Sequence, residues 1–168
     1  MGRPDGAPDL SRLGKLMEIR EFLDPSHIIP QLYSADKTQA LRDLSRRASA
    51  ALAIPQETIF NAIMAREKLG STGLGQGFAL PHARIEGLDH FFGLFARLGR
   101  PIPFEAADEK PVDLIFFLLI PASSVVNYVT VLASIARRIR DQDIAKRLRQ
   151  TDDPAVLHAL LTSGPEEA

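Results

Sequence analysis

Hydrophobic and polar positions follow two different periods along this chain. Between residues 36 and 70, apolar side chains recur every three to four positions, which predicts two amphipathic helices. The first begins at Asp36, with Gln39 at the spacing of a capping box, and the second begins near Pro55 and ends before Gly70. Three short stretches rich in branched and aromatic residues follow and predict strands: GFALPHARI, HFFGLFARLGRPI and VDLIFFLLI.

After Pro121 the helical period returns. One apolar stripe recurs at helical spacing: Val125, Val129, Leu132, Ala136 and Ile139. Because Val126 and Ala133 widen this stripe, the pattern predicts one helix that is buried around much of its circumference. Two shorter helices follow, one around residues 144–148 and one capped by Asp153. The order of elements predicts an α/β fold: a single layered domain whose mixed parallel and antiparallel sheet is flanked by helices on both faces.

Composition narrows the function classes. The 168 residues are 45% hydrophobic and carry a net charge of −1, which fits one domain and gives no overall attraction to nucleic acid or to an anionic membrane. The absence of cysteine excludes disulfides, thiolate zinc sites and cysteine nucleophiles. The longest nearly uninterrupted apolar run, residues 112–120, contains Asp113 and is about half the length that a membrane-spanning helix needs. The N-terminus lacks the apolar core of a secretory signal. We therefore expect a cytoplasmic protein without membrane insertion.

The ends of the chain differ from its middle. Residues 1–17 are rich in Gly, Pro and Asp and are expected to form a poorly ordered extension, and Met17 is a second candidate start of translation beside Met1. The domain is expected to cover residues 18–162, followed by a flexible tail over residues 163–168.

The segment GSTGLGQGFALPHARI, residues 70–85, joins a glycine-rich stretch to His82. It lacks the lysine of a Walker A loop and the glycine spacing of a dinucleotide site. Its backbone, with the hydroxyls of Ser71 and Thr72 and the close approach allowed by Gly73, suits either an anion-binding loop or a tight helix-to-strand connection.

A lone histidine in an apolar segment is often structural, so the context of His82 matters. The other three histidines stand at no metal-ligand spacing to it, so no metal site is predicted, and no G-x-S-x-G elbow indicates an acyl hydrolase. What remains is an imidazole beside a loop of hydroxyls, with Arg66 and Arg84 near in sequence. Neutral imidazole is a good nucleophile, and cations would hold a phosphoryl group on it.

Two longer motifs carry a family resemblance. REKLGSTGLGQGFALPHARI, followed by RPIPFEAADEKPVDLIFFLLIP, resembles the nitrogen-branch IIA proteins of the bacterial phosphoenolpyruvate phosphotransferase system, relatives of the mannitol and fructose IIA domains, over residues 18–162. The resemblance implies that His82 is phosphorylated at Nε2 by an HPr-type phosphocarrier and that Arg66 stabilises the phosphoryl group. It also implies a regulatory protein that binds targets in potassium and nitrogen physiology according to its phosphorylation state, with no cofactor. Whether it forms a homodimer stays open.

One departure from the family pattern concerns a second histidine. The family usually places this histidine on the helix after the PVDL strand, and Tyr128 stands at the position that aligns with it. A tyrosine hydroxyl donates a hydrogen bond but supplies no positive charge at neutral pH. A smaller departure is PHAR where the family more often has PHGK, so that Arg84 keeps the charge. Two outcomes are open: a phosphocarrier whose Tyr128 substitutes for the histidine, or a divergent binding protein with little or no phosphotransfer.

A basic run, ARRIRDQDIAKRLRQ at residues 136–150, offers a feature outside this site. It is either an ordinary solvated helical face or a docking surface for an acidic partner protein. Nucleic acid is not expected, because no aromatic residue is interleaved with the basic ones.

Overall fold

A computed structural model describes residues 17–163. Within them lie six strands: β1 (Ile28–Leu32), β2 (Gly73–Gly75), β3 (Phe78–Ala79), β4 (His82–Ile85), β5 (Phe92–Ile102) and β6 (Val112–Pro121). The same range contains five α-helices: α1 (Lys37–Leu52), α2 (Gln56–Lys68), α3 (Tyr128–Arg140), α4 (Gln142–Gln150) and α5 (Pro154–Thr162). The proposed N-terminal extension and C-terminal tail lie outside the described residues except for Met17, which is partly buried against the core, and Ser163.

The strands form one mixed sheet in the order β1-β5-β6-β3-β2, with β4 also paired to β6. β5 and β6 run antiparallel through the centre of the sheet, whereas β1 is parallel to β5 and both β3 and β4 are parallel to β6. Strand β1 was not predicted from the sequence. Pro30 lies within it, at the edge of the sheet, where a missing N–H is tolerated.

Helices cover both faces of the sheet, so the predicted fold class is confirmed. One core lies between the sheet and the pair α1 and α2, where Leu41, Leu44, Ile59 and Ile63 are fully buried. A second core lies between the other face and α3, α4 and α5. No helix among residues 17–163 is long and apolar enough to cross a bilayer.

The apolar stripe predicted for α3 is displaced from the observed one: Ile139 is buried and Leu132 is partly buried as predicted, but the valines of the stripe are exposed. Asn127 caps the helix through a hydrogen bond from the Val129 N–H to its side chain, so the helix begins at residue 128. Its buried residues are Val131, Ile135 and Ile139. Val129 is 58% exposed, Val125 is 88% exposed in the preceding loop, and Ala133 is also exposed. The helix therefore buries one stripe only, and valines lie at the surface near its start.

The predicted strand GFALPHARI is divided into β3 and β4 by Leu80 and Pro81. Leu80 donates its N–H to the carbonyl of Thr72, and the Pro81 carbonyl accepts from Leu118. Proline has no N–H, so the regular ladder is interrupted at this point. β3 and β4 nevertheless keep the same register along β6, and His82 is the first residue of the ladder after the interruption.

Candidate functional site

His82 is the first residue of β4 and lies opposite Leu118 of β6. Its neighbours Ala83 and Ile85 point into the core formed with α1 and α2, so His82 and Arg84 project from the opposite face of the strand. The Nδ1 atom of His82 is 2.9 Å from the Leu80 carbonyl oxygen. Because a carbonyl only accepts hydrogen bonds, Nδ1 carries the hydrogen and Nε2 of the neutral ring keeps its lone pair.

Burial keeps the His82 imidazole neutral. It lowers the pKa of His82 below its ordinary value by penalising the charged form; the bond to the Leu80 carbonyl opposes this, and the positive charge of Arg66 lowers the pKa further. The negative charge of Glu67 raises it slightly. At neutral pH the ring therefore presents an unprotonated Nε2, the atom that can act as a nucleophile.

Arg66 lies in the last turn of α2, next to the glycine-rich loop. Its Nη1 donates to the Gly70 carbonyl at 2.9 Å, which ties the arginine to the start of the loop. Its positive charge is also close enough to act on the ionisation of His82. The structure therefore brings Arg66 and His82 into one electrostatic environment although sixteen positions separate them in the sequence.

The loop hydroxyls are used within the protein. Ser71 donates its hydroxyl to the Phe104 carbonyl at 2.7 Å and accepts the Gly73 N–H at 3.0 Å. Thr72 is buried and donates its hydroxyl to Glu67. Neither hydroxyl has a hydrogen left to donate to an anion unless it gives up its present bond. Gly73 serves packing, because a Cβ there would lie 2.8 Å from the Cβ of Ala106.

Sequence reasoning missed Glu67, a buried residue of α2 that is hydrogen-bonded to this loop. Its side chain is 3% exposed and accepts from both the hydroxyl and the N–H of Thr72. Lys37 of α1 compensates its charge at 2.8 Å and also lies 4.6 Å from the centre of the Phe104 ring. The available signal was the position of Glu67 four residues after the buried Ile63, on the same face of α2.

Arg84 and Tyr128 meet on the His82 side of the sheet. The guanidinium carbon of Arg84 lies 4.8 Å from the centre of the Tyr128 ring, a cation–π contact. Tyr128 is partly buried against the second core, and Arg84 is exposed. The ring therefore holds a cation two residues from His82 on the same strand face.

The other histidines have local partners. His27 packs on Phe92 with ring centroids 4.7 Å apart, His158 bonds the Leu23 carbonyl through Nε2, and His90 contacts Asp89. Across residues 17–163, no group of three or more His, Asp or Glu side chains could hold a metal ion.

Comparisons with known proteins show the family to which the chain belongs. Residues 21–164 match the model of the family described as "Phosphoenolpyruvate-dependent sugar phosphotransferase system, EIIA 2". The chain is 42% identical over 152 residues to the nitrogen regulatory protein of Bradyrhizobium diazoefficiens, covering 90% of this chain and 99% of the relative. It is 37% identical over 142 residues to the Escherichia coli nitrogen regulatory protein, covering 82% of this chain and 87% of that protein.

Solved structures of related proteins share the fold of this chain. The crystal structure of the nitrogen regulatory protein IIA-Ntr from Neisseria meningitidis superposes with a TM-score of 0.81 at 35% identity, over 86% of this chain and 99% of that one. The mannitol IIA of Escherichia coli, 22% identical, shares the fold with a TM-score of 0.69 over 82% of this chain and 97% of its own. The chain belongs to the IIA family of the phosphoenolpyruvate-dependent phosphotransferase system, among the relatives known as nitrogen regulatory proteins.

Proposed function

We propose that this protein is a regulatory phosphocarrier whose His82 accepts a phosphoryl group at Nε2 from an HPr-type phosphohistidine protein. The observation that carries the proposal is the hydrogen bond from Nδ1 to the Leu80 carbonyl, which leaves Nε2 as the nucleophilic atom of a ring kept neutral by burial. In the transfer, the Nε2 lone pair forms a bond to phosphorus while the N–P bond of the donor breaks and returns its electron pair to the donor imidazole. The Leu80 carbonyl then stabilises the N–H of the phosphorylated ring.

Two cations flank this acceptor. Arg66, fixed by its bond to the Gly70 carbonyl, and Arg84, held against the Tyr128 ring, supply positive charge for a phosphoryl group. We assign the hydroxyls of Ser71 and Thr72 and the backbone of Gly73 to shaping the loop that borders the phosphoryl site, since the described bonds of these groups lie within the protein.

The surface around His82 suits contact with another protein. The exposed apolar residues Leu69, Val125 and Val129 belong to the segments that follow Arg66 and flank Tyr128. Apolar side chains exposed beside a reactive group favour the docking of a protein partner. The phosphoryl group would add close to two negative charges there and so change which targets bind, as befits a regulatory role in potassium and nitrogen physiology.

The first prediction tests the phosphoacceptor. After incubation with phosphoenolpyruvate, the first enzyme of the phosphotransferase system and the HPr-type carrier, the intact mass of the wild type should rise by one phosphoryl unit. His82→Ala should show no rise, whereas His90→Ala, a matched control at an exposed histidine, should behave as the wild type. An unchanged mass in the wild type would overturn the proposal in favour of a binding protein without phosphotransfer.

The second prediction concerns Tyr128 and the alternative function. Tyr128→His introduces a side chain that can carry positive charge, and it should accelerate phosphoryl transfer in a single-turnover assay by several-fold. Tyr128→Phe keeps an aromatic ring over Arg84 and should transfer at close to the wild-type rate. If the histidine variant is no faster, Tyr128 does not occupy the position of the family's second histidine.

A further inference from the structure

A cleft of about 340 Å³ lies on the second-core side of the sheet, between the turn that joins β2 to β3 and the helices α3 and α4. Its apolar walls come from four different elements. They are Phe78 of β3, Leu114 of β6, Ile139 of α3 and Ala145 of α4. This volume is at the lower end of the roughly 300–1,000 Å³ that ligand pockets span, which is room for one or two large side chains rather than an extended cofactor.

The rim of the cleft is basic. Arg140, Lys146 and Arg149 line it together with glutamine amides, and no Asp or Glu of residues 17–163 does. Arg149 is already paired with Asp113, at 2.8 Å. Arg140 and Lys146 are exposed, and neither has a carboxylate of the described residues within 4 Å. The cleft thus combines an apolar interior with two exposed positive charges that no carboxylate of residues 17–163 pairs.

Further exposed arginines stand on the same two helices, outside the lining of the cleft. Arg137 is exposed on α3, and Arg147 is exposed on α4 with only a distant contact, 4.0 Å, to Asp143. The apolar walls favour an acidic segment that carries a large apolar side chain over a small organic acid, which would use only the basic residues. Nucleic acid finds no stacking surface here, because the aromatic residue of the cleft, Phe78, is 2% exposed.

We propose that this cleft binds an acidic segment of a partner protein, with one large apolar side chain inserted between α3 and α4 and flanking Asp or Glu residues on Arg140 and Lys146. The site is separate from the phosphoryl site. Tyr128 and Arg140 stand at opposite ends of α3, about 18 Å apart along its axis at 1.5 Å per residue. A partner held here would leave His82 open to its phosphoryl donor.

The experiment is a selection of peptides on the protein followed by variants of the cleft. A random peptide library displayed on phage is selected on the immobilised full chain, and enriched peptides are synthesised with a fluorescent label. Enriched sequences should share a Leu, Ile, Phe or Trp flanked by Asp or Glu, and their NMR shift changes should map to α3 and α4. Binding should weaken at least tenfold in Lys146→Glu and in Ala145→Leu, which fills the cleft.

Two control variants test whether the binding is specific to this cleft. Arg100→Glu makes a similar charge reversal at an exposed arginine of β5 and should bind as the wild type. His82→Ala should also bind normally, so the result does not depend on phosphotransfer. The proposal is overturned if no acidic peptide is enriched, if enriched peptides map elsewhere, or if a single-stranded oligonucleotide binds the cleft more tightly. It is equally overturned if Ala145→Leu only abolishes self-association, seen by sedimentation, since the occupant would then be a second copy.

Discussion

At the scale of single residues, the ring of His82 is defined by what its two nitrogens face. Nδ1 bonds the Leu80 carbonyl two residues back, at the interruption between β3 and β4. Nε2 keeps its lone pair, and burial favours the neutral form by lowering the pKa of His82. The residue type could be singled out from the sequence, but its tautomer could not, because the tautomer depends on a contact with a backbone carbonyl that no sequence pattern encodes.

The third prediction is the titration of His82. Because burial lowers the pKa of His82, the midpoint of its titration should lie below the reference of about 6.5, and the neutral, nucleophilic form should predominate at pH 7. As pH falls through that midpoint, the ring gains a proton on Nε2 and phosphoryl acceptance should cease. Long-range ¹H–¹⁵N NMR spectra, assigned with His82→Gln, measure both the midpoint and the tautomer. A midpoint above 6.5 would contradict the effect of burial, and a hydrogen on Nε2 at pH 8 would contradict the assignment of Nε2 as the nucleophile.

At the scale of elements, α2 and the loop after it form one unit through Glu67. The buried carboxylate receives two hydrogen bonds from Thr72 and the charge of Lys37, so helix, loop and α1 are tied at one point. A buried charge is tolerated only when it is paired and hydrogen-bonded. The end of α2, which carries Arg66, is therefore fixed relative to the loop that leads to β4.

The fourth prediction follows from that bond. Thr72→Val keeps the shape of the side chain but removes the hydroxyl, leaving the Glu67 carboxylate with one bond fewer; the free energy of unfolding should fall by about 1–3 kcal/mol. Thr130→Val is the matched control, because its hydroxyl bonds the Asn127 carbonyl at an exposed helix start and its loss should change stability by under about 0.5 kcal/mol. Urea unfolding measures both. If both variants lose the same free energy of unfolding, the bond from the Thr72 hydroxyl to Glu67 contributes no more stability than an exposed hydrogen bond.

Elements also show where sequence reasoning succeeds. The start of α1 at Asp36 follows from local chemistry, and its cap is confirmed by the bond from the Gln39 N–H. The phase of α3 was not obtained, because several apolar stripes fit the sequence VVNYVTVLASIA and only the cap at Asn127 and the packing of Val131 and Ile135 select one. Strand β1 and the three-residue β2 exist through pairing with other strands, a tertiary contact that no local pattern encodes.

At the scale of the whole molecule, Arg149 joins parts of the chain that are far apart in sequence. Its guanidinium makes two bonds to Asp113 at the start of β6 and one to the Gln76 carbonyl in the hairpin, while its own carbonyl accepts from Arg97 of β5. The hydrogen bonds to Asp113 raise the pKa of Arg149 above its ordinary value. Gly77 is required beside this pair, since it has a φ of +81° and a Cβ there would lie 2.6 Å from Arg149 Nη2. Helix α4 is thereby fastened to the centre of the sheet.

The fifth prediction compares the stability contributed by the Arg149–Asp113 ion pair with that of a surface ion pair on the same helix. Arg149→Met keeps most of the side-chain length but leaves Asp113, only 25% exposed, without its bidentate partner. The free energy of unfolding should therefore fall by about 1–3 kcal/mol, which is less than the loss expected for a fully buried ion pair. Arg147→Met breaks only the exposed 4.0 Å contact with Asp143 and should change it by under about 0.5 kcal/mol. In a double-mutant cycle, adding Asp113→Asn to Arg149→Met should recover part of the loss, because the unpaired charge is then gone. If both arginine variants lose the same stability, Arg149 does not connect α4 to the sheet energetically, and its contacts are no more than those of a solvated helix face.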